Sequence, residues 1–361
     1  MRIAVFGATG LVGSLMIKLL EERIKEDVEI YPFAKESGRF IKYKGKEIEV
    51  KSISENEIPK LDFALFAVDN ELAIRWKDAF RSKGAIIIDN SSAFRLEKDV
   101  PLVVPEVNLE DLKFHKGIIA NPNCSTIQLV IPLKALMKFN IKRVFVSTYQ
   151  SVSGAGRDGL NAYYYEKENK NYEKTPFDRK IFNNLIPQIG SFKNGYCTEE
   201  WKIINESRKI LHFENLIISA TTVRVPIEFC HSQSVEIDLE KGNFQEIENC
   251  LKEFKGIVYH NENYFTPIEI VNKDEVYISR LRKHPFLENT FLFWSVFDNL
   301  RKGAALNAIQ ILDVHEGQIL VFQEIRKLPL LSRLIYNVQG FQLRYVVFHN
   351  HNLNFLISTI Q

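Results

Sequence analysis

Seven residues, Gly7-Ala8-Thr9-Gly10-Leu11-Val12-Gly13, constrain the fold of this chain more than any other stretch. They separate a fully apolar run, Ile3-Ala4-Val5-Phe6, from a segment with helical periodicity that runs from Ser14 to Arg23, and so read as a turn between a strand and a helix. A secretory signal is the competing reading of an apolar N-terminus. The glycine turn interrupts the apolar run, Lys18, Glu21 and Glu22 follow it, and no small-residue cleavage site closes it. Further apolar runs at 28–33, 63–68, 85–89 and 117–120, with a helical stretch at 71–83, alternate strand with helix and predict a doubly wound parallel sheet. In such a turn glycines permit tight reversal and close approach of the backbone to a pyrophosphate, which the helix N-terminus then faces. Gly7, Thr9, Gly10, Leu11, Val12 and Gly13 are therefore candidate dinucleotide-binding residues, and an ordinary strand-to-helix turn is the alternative.

With 361 residues, 45% of them hydrophobic, the chain is long enough for two domains. A formal charge of +2, with no basic block, gives no electrostatic case for nucleic acid. No apolar run reaches the roughly 18 residues of a membrane span. Four cysteines without C-x-x-C spacing suggest neither zinc nor a disulfide framework, and fit a soluble protein of the reducing cytoplasm.

One of those cysteines stands out. The run Asn121-Pro122-Asn123-Cys124-Ser125-Thr126 puts Cys124 at a polar turn where an apolar helix begins, just beyond a strand end on the cofactor side of the sheet. A helix N-terminus favours a thiolate, so the position predicts a lowered pKa, unpaired N–H donors for an oxyanion, and a covalent nucleophile. The alternative is a buried cysteine used as a small hydrophobe. Beyond the helix that starts near Ser125, runs at 144–150, 216–225, 234–239, 276–281 and 290–297 predict a second, mostly antiparallel sheet with helices on one face. After the second strand, Lys35 and Arg39 suit a 2'-phosphate and Glu36 a free 2'-hydroxyl, unless the segment is simply a solvated loop.

Eight ordered blocks carry a family resemblance: GATGLVGS, DNSSAFR, VPLVVPEVN, NPNCSTIQLV, STYQSVSGAGRDG, TEEWKIINESRKIL, VRVPIEFCHSQSV and DNLRKGAALNAIQI. Through them the chain resembles aspartate-semialdehyde dehydrogenase up to about Leu312. The resemblance implies an α/β protein with a Rossmann-like dinucleotide-binding domain at 1–127, rejoined by a returning helix around 299–313. It implies an α+β substrate and dimerisation domain at 128–298, leaving 314–361 as a C-terminal extension of unassigned role. The implied reaction is reduction of L-aspartyl 4-phosphate to L-aspartate 4-semialdehyde by NADPH, with release of phosphate, at the branch toward lysine, methionine and threonine. The implied assembly is a homodimer, or a tetramer of dimers.

The resemblance also assigns roles to residues. Cys124 matches the nucleophile that forms a thioester, and His231 the general acid and base, for which an unperturbed imidazole pKa of about 6.5 is suited. Gln150 matches the residue that orients the acyl intermediate, and Asn123 arranges oxyanion donors, its alternative being a helix cap. Arg224 matches the grip on the α-carboxylate, Glu199 the partner of the α-ammonium, and Arg95 and Lys202 the phosphate holders. Ser153, Gly154 and Asn299 match cofactor contacts. The resemblance implies NADP, but the stretch Lys35-Glu36-Ser37-Gly38 replaces the Arg-Ser pair that many members use for the 2'-phosphate, which weakens that preference and leaves NAD use not excluded. No metal is expected, because His349 and His351 lack a nearby carboxylate or cysteine partner. Two alternatives stay open: a related N-acyl-amino-acid phosphate reductase, in which Glu199 would have no ammonium to bind, and a non-catalytic nucleotide-binding paralogue.

Overall fold

The apolar strand and glycine turn open a six-stranded parallel sheet in the computed structural model, which describes residues 1–35, 37–315, 334–338, 341–345 and 358–359. Strand β1 (Arg2–Phe6) leads through the turn into α1 (Leu11–Arg23) and back to β2 (Glu29–Ala34). A hairpin of β3 (Phe40–Tyr43) and β4 (Lys46–Glu49) precedes β5 (Lys51–Ser52), β6 (Phe63–Phe66), α2 (Asn70–Ser82), β7 (Ile86–Asp89), α3 (Pro105–Asn108) and β8 (Ile118–Ala120). The strand order β5-β2-β1-β6-β7-β8 reverses direction of growth at β1, so the crevice beyond its carboxyl end is where ligands of such sheets gather. Gly7 sits there at φ +93°, and a methyl on it would lie 2.3 Å from the Ala67 carbonyl oxygen. A methyl on Gly13 would lie 2.2 Å from the Gly7 oxygen, so helix and turn are in contact through bare α-carbons. Beneath the sheet Phe6, Phe66 and Phe80 pack ring to ring at 5.0–5.7 Å.

The chain then enters α4 (Cys124–Leu136) and a second six-stranded sheet. Its elements are β9 (Ile141–Gln150), α5 (Gly156–Lys167), a two-residue hairpin β10 (Phe192–Lys193) and β11 (Tyr196–Cys197), α6 (Thr198–Ile210), β12 (Ile217–Arg224), β13 (His231–Leu239), α7 (Phe244–Glu253), β14 (Ile257–Tyr259), α8 (Pro267–Ile270), β15 (Val276–Lys283) and β16 (Thr290–Phe297). The order is β12-β9-β13-β16-β15-β14. The middle pairings are antiparallel as expected, but β12 with β9 and β14 with β15 run parallel, so the sheet is mixed at both edges. Helices α4, α6 and α7 cover one face, where Leu129, Ile203, Leu251, Val146, Ile237 and Phe293 share one core. On the other face Phe145, Tyr149, Leu292 and Trp294 remain partly exposed, with Tyr149 and Trp294 in ring contact at 5.5 Å.

After β16 comes a π-helical turn, Arg301–Ala305, and a helix at 306–315. Residues Met1–Ile311 form one compact unit. In the second unit, from Leu312, the described strands β17 (Leu334–Val338), β18 (Phe341–Tyr345) and β19 (Ser358–Thr359) form an antiparallel sheet in that order. His349 and His351 lie outside the described residues, as does Glu36.

Candidate active site

Three neighbouring strands of the second sheet bring three of the expected residues into one row. Arg224, the last residue of β12, pairs with Gln150, the last residue of β9, and Gln150 pairs on its other side with His231, the first residue of β13. All three are buried. Helix α4 starts over this row and is tied to it by glutamines: Gln233 Nε2 donates to the Ser125 carbonyl at 2.7 Å, and Gln128 Nε2 to Ser295 Oγ at 2.8 Å. Cys124 is thereby held at the first position of α4, partly exposed in the cleft.

Asn123 caps that helix, its Oδ1 accepting from the Ser125 and Thr126 N–H groups at 2.9 and 3.2 Å. The cap corrects one expectation, because these two first-turn donors are spent inside the protein and do not await an oxyanion. Asn123 Nδ2 donates to Glu199 Oε1 at 2.7 Å, and Lys202 Nζ donates to Glu199 Oε2 at 3.1 Å. Burial pushes the Glu199 carboxyl up, but Lys202, Asn123 and Arg224 outweigh it and hold it below the usual range, so it is a buried carboxylate.

The electrostatics overturn two further expectations. Desolvation, reinforced by Glu199, pushes the Cys124 thiol up to about 11, and Arg224 and Arg95 only partly oppose it. The N-terminal field of α4 does not outweigh desolvation of the thiol and the neighbouring Glu199 carboxylate. His231 is pushed down to about 3, chiefly by burial and then by Arg224, so its imidazole is neutral at physiological pH and not poised near its ordinary value.

Arg95 reaches the site from the loop after β7, and its fork is largely engaged. Nε donates to the Asn121 carbonyl at 3.0 Å, Nη1 to Glu206 Oε1 at 3.0 Å and Nη2 to the Asn90 carbonyl at 2.8 Å. Two of the five guanidinium N–H groups are left for a ligand. Among the residues expected to contact a cofactor, Asn299 Oδ1 accepts from the Cys230 N–H at 2.9 Å, and Asn299 Nδ2 donates to Ser153 Oγ at 3.1 Å, next to Gly154. A methyl on Gly154 would lie 2.7 Å from Arg224 Nη1 and 3.1 Å from His231 Nε2, so that residue has no room for a side chain. The loop carrying Ser153 and Gly154 meets the glycine turn, with Arg157 Nη2 donating to the Thr9 carbonyl at 3.4 Å and Leu11 packed against the Val152 cluster. The N-terminus of α1 has no side-chain cap and no acidic residue in its first turn, which leaves it open to an anion. Lys35 lies apart from this cluster, exposed just beyond β2.

Two family models match the chain, the semialdehyde dehydrogenase NAD binding domain over residues 2–115 and the semialdehyde dehydrogenase dimerisation domain over residues 133–302. An aspartate-semialdehyde dehydrogenase from Aquifex aeolicus is 43% identical over 339 residues, covering 88% of this chain and 99% of the relative. The chain belongs to the aspartate-semialdehyde dehydrogenase family. A family member from Bacillus subtilis is 41% identical over 332 residues, covering 86% of this chain and 96% of its own length. In the same family, the crystal structure of aspartate semialdehyde dehydrogenase II from Vibrio cholerae, complexed with ASA, superposes with a TM-score of 0.82 at 34% identity, covering 86% of this chain and 97% of that one.

The site contains residues that the sequence reading passed over. Glu206 is buried, accepts from Arg95, and with Oε2 accepts from the Asn123 N–H at 2.7 Å. Lys209 Nζ gathers the carbonyls of Arg95, Glu97 and Val100 at 2.7–2.8 Å, pinning the loop that carries Arg95. The signal was present: Glu199, Lys202, Glu206 and Lys209 recur at i, i+3, i+7 and i+10, one face of α6. Such a charged face reads as solvated until the fold turns it inward.

Proposed function

We propose that the chain catalyses the NADPH-dependent conversion of L-aspartyl 4-phosphate to L-aspartate 4-semialdehyde and phosphate through a thioester on Cys124. One observation carries the reading: Cys124 stands at the start of a helix above the row of Arg224, Gln150 and His231, with the ionised Glu199 beside them. A substrate with one α-carboxylate, one α-ammonium and one acyl phosphate is matched by this set. Arg224 takes the carboxylate and Glu199 the ammonium, while Lys202 and the two remaining Arg95 donors take the phosphate. A buried carboxylate in this place argues against a substrate whose amine is acylated, which would leave Glu199 facing a neutral amide. The Vibrio cholerae relative, solved with ASA, supports the substrate class.

In the first step the Cys124 sulfur bonds to the acyl carbon, the carbon–oxygen bond to phosphate breaks, and the thiol proton departs on the phosphate. Gln150 Nε2, hydrogen-bonded to Thr148 Oγ1 at 3.2 Å, is held in place to orient the acyl group. His231 faces the reacting oxygen. The residues present fit a dinucleotide: the uncapped α1 N-terminus, the bare α-carbons of Gly7, Gly10 and Gly13, and the backbone at Thr9, Leu11 and Val12 would hold the pyrophosphate. Ser153, Gly154 and Asn299 would border the nicotinamide, and Lys35 would meet a 2'-phosphate. Bound there, NADPH supplies the hydride that takes the thioester to the aldehyde.

The partly exposed apolar face of the second sheet, with Phe145, Tyr149, Leu292 and Trp294, supports a homodimer formed through residues of the dimerisation segment. Among the described residues no helix is long and apolar enough to cross a membrane, and the four cysteines are unpaired, as suits a reducing compartment. Initial rates with aspartate semialdehyde, phosphate and either NADP or NAD test the reading. Phosphate-dependent reduction, faster with NADP, is expected. Absence of phosphate-dependent turnover with both dinucleotides would refute it.

A further inference from the structure

Ser151 has no role in the assignment above, yet it joins two of the residues that do. Its carbonyl accepts from Arg224 Nη1 at 2.7 Å, and its backbone N–H donates to His231 Nδ1 at 3.1 Å. Its hydroxyl lies 3.1 Å from the same Nδ1, 3.0 Å from Ser153 Oγ and 3.2 Å from Asn299 Oδ1, to which it donates. A peptide N–H can only donate, so the ring nitrogen in front of it has to accept. The single proton of the neutral imidazole is then on Nε2. Protonating the ring at both nitrogens would set one N–H against another, and the peptide is not free to turn away. Its carbonyl, that of Gln150, accepts from the Val225 N–H at 2.9 Å, and the following peptide is held too, the Ser151 carbonyl by Arg224 and the Val152 N–H by the Ile227 carbonyl at 2.9 Å.

The other nitrogen completes the picture. His231 Nε2 is buried and has no hydrogen-bond partner among the described residues, although it borders the Gly154 α-carbon beside Arg224 Nη1. The charged groups acting on the ring are Arg224 from β12 and Glu199 from α6, and the backbone of the adjoining Cys230 also hydrogen-bonds to it. Burial decides for the neutral form and Arg224 reinforces it, against the Cys230 backbone hydrogen bond and Glu199, which favour a cationic ring. The Ser125 and Thr126 N–H groups are committed to the Asn123 cap, and Gln150 Nε2 is bonded to Thr148 and to Glu199 at 3.4 Å, so a buried Nε2–H on His231 adds a donor that these groups do not supply.

We propose that Ser151 is a positioning residue whose backbone N–H fixes His231 as the neutral tautomer protonated at Nε2, so that the imidazole meets the substrate oxygen as a hydrogen-bond donor and not as a base. The inference rests on the thioester reading for the identity of that oxygen. It needs no base in the acylation step, because the thiol proton leaves on the phosphate. The tautomer itself is independent of turnover and can be read without it.

The test is nitrogen NMR of the full chain labelled with 15N-histidine, with the His231 signals identified by their loss in His231→Asn. Between about pH 5 and about pH 8, where an ordinary histidine titrates, His231 is expected to keep an unprotonated Nδ1 and a protonated Nε2. Ser151→Ala, which keeps the peptide donor, is expected to leave both signals unchanged. A protonated Nδ1, or titration to imidazolium within that range, would overturn the proposal. A change of tautomer in Ser151→Ala would overturn the assignment to the peptide. Failure of the dehydrogenase assay with the expected spectrum intact would instead count against the catalytic reading alone.

Discussion

Lys302 offers a sharp energetic test of how the site is held. Its side chain is fully buried, and Nζ donates to both Glu106 oxygens at 2.9 and 2.7 Å, to Asn307 Oδ1 at 3.2 Å and to Gln310 Oε1 at 2.7 Å. The next residue, Gly303, packs on Cys124: a methyl there would lie 2.9 Å from the Cys124 Cβ. The ion pair therefore anchors the π-helical turn that packs on Cys124. Lys302→Met keeps the stem but leaves Glu106 buried with Gln310 Nε2, at 3.0 Å, as its remaining side-chain donor. Removing one partner of a buried pair costs about 3–5 kcal/mol, whereas removing both charges is often nearly neutral. Allowing about 1–2 kcal/mol for the partners lost by Asn307 and Gln310, Lys302→Met with Glu106→Gln should recover about 2 kcal/mol relative to the single variant. Burial is the largest influence on Glu106 and pushes it up, with Lys302 holding it down. In Lys302→Met its folded pKa therefore rises above the unfolded value, the folded state binds the extra proton, and the loss should shrink as pH falls from neutrality toward the ordinary glutamate range. Urea unfolding of the four members of the cycle at two pH values measures all of this. A single-variant loss below about 1 kcal/mol, or a double variant no more stable than Lys302→Met, would refute the reasoning.

Two other perturbations probe the site directly. Glu199→Gln removes the second largest influence that keeps the Cys124 proton in place, after burial itself, so the thiol pKa should fall and iodoacetamide should alkylate Cys124 faster at pH 8; an unchanged or slower rate would contradict the electrostatic account. Gly154→Ala drives a methyl against Arg224 Nη1 and His231 Nε2, and should lower kcat/KM by about 10²-fold, as misplacement by an ångström can, with little change in the urea midpoint; unaltered kinetics would show that these two groups do not set the geometry.

Much of the fold was legible locally. The glycine turn and the alternation of apolar runs marked the parallel sheet, because a strand buried on both faces and a turn needing bare α-carbons leave direct traces in residue type. The mixed edges of the second sheet were not legible, since alternation reports which face is buried and not which strand lies alongside. In the site, Cys124 was picked out by its place at a helix start and Gln150 and His231 by the family resemblance, but the ionisation of Cys124 and His231 was not legible. The helix terminus predicted a lowered thiol pKa, and desolvation beside Glu199 reverses it. Ser151 acts through its peptide, which carries no sequence signal. Lys302 and Glu206 look like surface charges until the fold buries them, with Glu106 and Arg95 as partners.

The central claim is that the acyl group passes through the Cys124 sulfur. Mixing the enzyme with aspartate semialdehyde and NADP without phosphate, then following absorbance and the mass of the Cys124 peptide after acid quench, tests it most directly. The account predicts a burst of one NADPH per active site and an aspartyl adduct on that peptide that phosphate removes. No burst and no adduct, together with phosphate-dependent turnover by Cys124→Ala, would contradict it.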